Sequence, residues 1–157
     1  MAIHKIQIND FITNDYELIA IHTAVEDYKL AFLLNSILGT KFKKNSIDIE
    51  ISISEGKGLF TNFLFEDHTS DIIWSLIENK AVIFMPKKEQ FQLFDAVEMA
   101  IFLIPEFKKA DFILKIENNN SNFNAQELIN RILSIKNIST VYTIDAVRLK
   151  SKNNLIF

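Results

Sequence analysis

The clearest pattern in the chain is the alternation of Ile47, Ile49, Ile51 and Ile53 with Asp48, Glu50 and Ser52. A period of two marks a strand with one buried face. A different period governs two other stretches. Leu30, Ala31, Leu34, Ile37 and Leu38 recur at helical spacing, and Gly39 offers a left-handed stop. Thr23 and Glu26 stand ahead of that stripe at the spacing of a capping box. Leu128, Ile129, Ile132, Leu133 and Ile135 form the second helical stripe, with Asn124 and Glu127 as its cap pair. Strand-like runs at 16–22, 111–117 and 140–147 flank the two helices. Both ends of the chain therefore read as strand–helix–strand units.

The middle reads as antiparallel strands. Gly56-Lys57-Gly58 is expected to turn the chain. Runs at 59–66 and 72–78 follow, separated by turn-forming residues at 67–71. A hairpin is expected from 81–85 to 90–94 around Pro86-Lys87-Lys88, and 97–104 fits either strand or helix, with strand favoured because a turn and another strand follow. Residues 118–122 are a polar loop. The prediction is one α+β domain over residues 1–157, two strand–helix–strand units flanking a strand-rich middle.

Composition narrows the class. A chain of 157 residues fits one domain. Its 48% hydrophobic and 24% charged content lies in the globular range. No run of about 18 apolar residues is present, so no membrane span is expected. Residues 1–10 lack the apolar core of a signal peptide. There is no Cys, which excludes disulfides and thiol chemistry and suits the cytoplasm. The 25 Ile against 5 Val, with 15 Asn and 14 Phe, suit A+T-rich coding, so a Phe by itself does not signal a binding surface. Charge is uneven: residues 48–106 carry eleven acids and four lysines, and residues 107–157 carry eight bases and four acids.

Few residues form sets that chemistry requires. His4, His22 and His68 are isolated, without the close second ligand of a metal site. The three glycines do not form a phosphate loop. No cofactor and no metal are expected. An acid–base site would have to bring at least two of Glu106, Asp111, His22 and Tyr28 into one concavity. Lys41, Lys43 and Lys44 around Phe42, together with Arg148 and Lys150, would suit nucleic acid if they shared a face.

One short string stands out. Ile104-Pro105-Glu106 ends an apolar run, and Asp111-Phe112 opens the next. Pro105 fixes φ and lacks an N–H, which suits a strand end. Glu106 and Asp111 are placed to accept backbone N–H groups left free at such a turn. The string resembles the signature of the IPExxxDY family of bacterial proteins. Here four residues rather than three separate Glu106 from Asp111, and Phe112 replaces the family's Tyr. The resemblance implies a small cytosolic protein with no assigned reaction, cofactor or site. From the residues themselves, the expected function is protein binding or homo-oligomer formation, with an RNA-associated role or a small-molecule enzyme as alternatives.

Overall fold

The computed structural model describes residues 15–86, 96–119 and 123–157. Within them the chain runs β1 (Tyr16–Thr23), α1 (Asp27–Leu38), β2 (Lys43–Lys44), β3 (Ile49–Ile53), β4 (Gly56–Phe60), β5 (Asn62–Asp67) and β6 (Ile72–Glu78). It continues through β7 (Lys80–Pro86), β8 (Ala96–Phe102), β9 (Phe112–Glu117), α2 (Ala125–Leu133) and β10 (Ile138–Ile144). Six strands form one antiparallel sheet in the order β10-β1-β9-β6-β5-β2. The fold is α+β, as the periodicities predict.

Three layers result from how the strands alternate. In β1, residues Leu18, Ile19, Ala20 and Ile21 are all fully buried. Ile19 and Ile21 pack with Leu30 and Leu34 of α1 and with Leu128 and Ile132 of α2. Leu18 and Ala20 point the other way, into a second core with Phe60, Ile83, Ile101 and Leu103. That second core is roofed by two hairpins, β3–β4 and β7–β8, and by short 3-10 turns after β10. A strand covered on both sides has no solvent face to make polar, which explains the consecutive apolar residues Leu18–Ile21 in β1 and Phe112–Leu114 in β9. Among the described residues, no helix is long and apolar enough to cross a membrane.

Several local expectations are corrected. Thr23 does not cap α1, because it still belongs to β1 and pairs with Ile138. Its hydroxyl accepts from the Val25 N–H and donates to the Asn137 carbonyl, while Glu26 takes the cap position without a side-chain bond. The helix does end at Gly39, whose φ of 72° is left-handed. The second cap forms as read, with the Asn124 side chain accepting from the Glu127 N–H at 3.1 Å. The turn before β4 lies at residues 54–55, and Gly56-Lys57-Gly58 is strand. Gly58 is needed there for space: a Cβ would stand 1.9 Å from Ile101 Cδ1.

The run at 59–66 is two strands broken at Thr61. β4 belongs to the roofing hairpin and β5 to the central sheet, so Phe60 and Phe63 serve different cores. β7 pairs with β8, and the strand expected at 90–94 lies outside the described residues. The last strand stops at Ile144 because Asp145 turns the chain, its side chain accepting from the Val147 N–H.

Candidate functional site

The Ile104–Phe112 corner is organised by a residue far away in sequence. Asn79 sits between β6 and β7 and is fully buried. Its side-chain oxygen accepts from the Ile104 N–H at 2.9 Å, and its amide donates to the carbonyls of Phe107 at 2.9 Å and Ala110 at 3.0 Å. Its backbone N–H donates to the Asp111 carbonyl, and its carbonyl accepts from Leu103. Pro105 to Phe107 form a 3-10 turn around this amide. No residue of the turn itself is buried, but its flanks Ile104 and Ala110 are, and Asn79 supplies both a donor and an acceptor for the backbone groups that face inward there.

The two carboxylates of the corner face different ways. Asp111 accepts from the Thr23 N–H at 2.8 Å, tying the turn to the end of β1. Glu106 accepts from the Lys150 N–H at 2.6 Å, the Ser151 N–H at 3.0 Å and the Ser151 hydroxyl at 2.7 Å. Burial pushes the Glu106 carboxyl up, but the Ser151 hydroxyl and the backbone N–H groups outweigh it. The group is held below the ordinary glutamate range. Phe112 is buried in the helical core. His22 lies 3.1 Å from the Tyr142 hydroxyl, which burial makes less acidic, and the Tyr142 ring packs on Phe107. Tyr28 stands apart on the outer side of α1, where a hydrogen bond to Glu26 raises its pKa. The four residues proposed for acid–base work are therefore not convergent.

A second buried polar residue escaped the sequence reading. Lys115, in the middle of β9, is 3% exposed. Its ammonium meets Glu117 at 2.9 Å and the Leu155 carbonyl at 2.9 Å, and it lies 4.4 Å from the Phe157 ring centre. A charge this buried persists only when paired and hydrogen-bonded, and both conditions are met. Its effect is to pin the end of the chain beneath the sheet. No sequence signal distinguishes Asn79 among fifteen asparagines, or Lys115 from an outward-facing strand lysine.

Two open grooves remain. The broader, about 900 Å³, holds Lys41, Lys43 and Lys44 beside Phe65 and Trp74, together with Glu66 and Asp67. Arg148 and Lys150 are elsewhere. They follow β10, the sheet edge opposite β2, and the Lys150 N–H is bonded to Glu106. Arg148 is paired with Asp145 at 3.0 Å. The broader groove thus holds three of the five basic residues and not Arg148 or Lys150. The second groove, about 500 Å³, runs between β3 and the chain's last residues. Neither groove contains Glu106, Asp111, His22 or Tyr28. Among the described residues no cluster of His, Asp or Glu has the makings of a metal site.

Comparison of the chain with family models, with curated proteins and with solved structures returns no match. The resemblance read at Ile104-Pro105-Glu106 rests on that string.

Proposed function

We propose that this is a non-catalytic protein-binding domain that pairs with a second copy of itself, a cytoplasmic protein related through its corner string to the IPExxxDY family. The observation that carries the reading is the outer face of α1. Tyr28 and Phe32, one helical turn apart, are 63% and 68% exposed. A surface helix ordinarily turns polar side chains outward. Single exposed apolar residues need no explanation, but two aligned aromatic rings make a contact surface.

Charge favours a second copy as the occupant. Glu26 and Asp27 stand at the start of α1, and Lys41 lies just beyond its end. A two-fold axis across the helix sets the acidic start of one copy against the basic end of the other. Size-exclusion chromatography with light scattering at about 100 μM, where even weak dimers populate, tests this. A dimer is expected, and Phe32→Ser is expected to return it to monomer. A strict monomer for the parent chain at that concentration would rule out self-pairing.

A further inference from the structure

The groove beneath β3 is lined by six consecutive residues, Ile47 to Ser52. Successive strand residues point to opposite faces. A cavity that touches all of them must therefore run along the strand's edge rather than over one face. β3 pairs with β4 on its other side and has no strand partner here among the described residues. The opposite wall is built by Ile156 and Phe157, both exposed. That wall is held in place from behind, since Lys115 binds the Leu155 carbonyl and Asn154 donates to the Leu103 carbonyl at 2.8 Å. The result is a preformed slot with backbone hydrogen-bonding groups on one side and apolar side chains on the other.

We infer that this slot takes an extended peptide in which aliphatic residues alternate with Lys or Arg, added as a strand to the edge of β3. The inference rests on the protein-binding reading and adds to it a site distinct from α1. Main-chain hydrogen bonds to a free edge supply the affinity in this mode of recognition, and alternate side chains supply the specificity. Inward-pointing aliphatic residues of the peptide meet Ile51, Ile156 and Phe157. Outward-pointing Lys or Arg residues meet Asp48 and Glu50, the charged side chains that line the slot among the described residues; Glu50 is already paired with Lys57 at 2.7 Å, so Asp48 carries the unbalanced charge. Four of the lining residues, Ile49 to Ser52, are strand, and at about 3.4 Å each they pair with about four residues of a longer peptide. A second copy is disfavoured here. A second β3 offers no cation to these acids, because residues 47–53 carry Asp48 and Glu50 and no Lys or Arg.

The test uses fluorescence polarisation of the full chain with a labelled hexapeptide of alternating Ile and Lys. Its controls are the same peptide with Glu in place of Lys, and one with a central Pro that cannot donate to the edge. The Ile/Lys peptide is expected to bind, with at least tenfold weaker binding by the other two. Asp48→Lys, which breaks no ion pair among the described residues, is expected to reverse the preference between the Lys and Glu peptides. Amide exchange at residues 49–52 is expected to slow only when the Ile/Lys peptide is bound. Equal binding of all three peptides, an unchanged preference in Asp48→Lys, or no binding of the Ile/Lys peptide at 1 mM, on the order of the weakest specific affinities, would each overturn the assignment. The oligomeric state is measured separately. If the dimer persists while the peptide fails, the slot is a protected edge and the protein-binding reading stands. If both fail, the wider reading falls with it.

Discussion

Asn79 shows how much one amide can carry. Its side chain reaches the Ile104 N–H and the Phe107 and Ala110 carbonyls together. Asn79→Asp changes a single group, but places a carboxylate oxygen against two carbonyls. Each buried polar group left unpaired costs about 1–3 kcal/mol, so a loss of about 3 kcal/mol or more is expected in urea unfolding. A variant within about 1 kcal/mol of the parent would show that the turn does not depend on this amide. Glu106 makes a pH-dependent contribution. Its carboxyl titrates lower in the folded chain than in the unfolded one. The stabilisation is therefore complete above the ordinary glutamate value of about 4.3 and is lost as pH falls through the folded value. Glu106→Gln should be less stable than the parent at pH 7, with the gap closing by pH 3. Glu78, which burial pushes the opposite way, is common to both chains and cancels in the difference. A gap that stays constant with pH would remove Glu106 as its source. The sequence made the acceptor role of Glu106 and Asp111 legible, because Pro105 signals a turn with free N–H groups. It could not reveal Asn79, whose importance comes from a strand junction 25 residues upstream of Ile104.

At the level of elements, period revealed type and concealed boundaries. The Asn124 cap was legible because nothing competes for it. Thr23 was misread because a strand still holds it, and strand pairing wins over helix capping at that position. The 59–66 run misled for a related reason: it passes from one layer to another at Thr61, and apolar residues needed by two cores look like one continuous strand. Gly58 belongs to the same region. Its Cβ would meet Ile101 Cδ1 at 1.9 Å and Cγ1 at 2.7 Å, and Ile101 is buried. Gly58→Ala is expected to cost about 1–3 kcal/mol by overpacking. Ile101→Val removes the nearer atom and should recover part of that cost. A double-mutant cycle measures the coupling between the two. Strict additivity would mean that the hairpins do not bear on one another at this contact.

For the whole molecule, the alternation in each strand predicted buried and exposed faces but could not say which strands lie side by side. That information is held in pairings across long stretches of chain. Ile19 pairs with Leu114 on one side and with Thr143 on the other. The strand from the start of the described chain is thus clasped between the two that flank α2, and the sheet closes only when β10 arrives. Contacts so distant in sequence slow folding, because loop closure must precede the gain. They also set a schedule during synthesis. At about 5–20 residues per second, the 124 residues between Ile19 and Thr143 take roughly 6–25 s to follow. For that interval the fully apolar run at 18–21 has no partner on the β10 side. Until β10 follows, β1 is itself an edge strand, held by β9 on one side and open to foreign strands on the other.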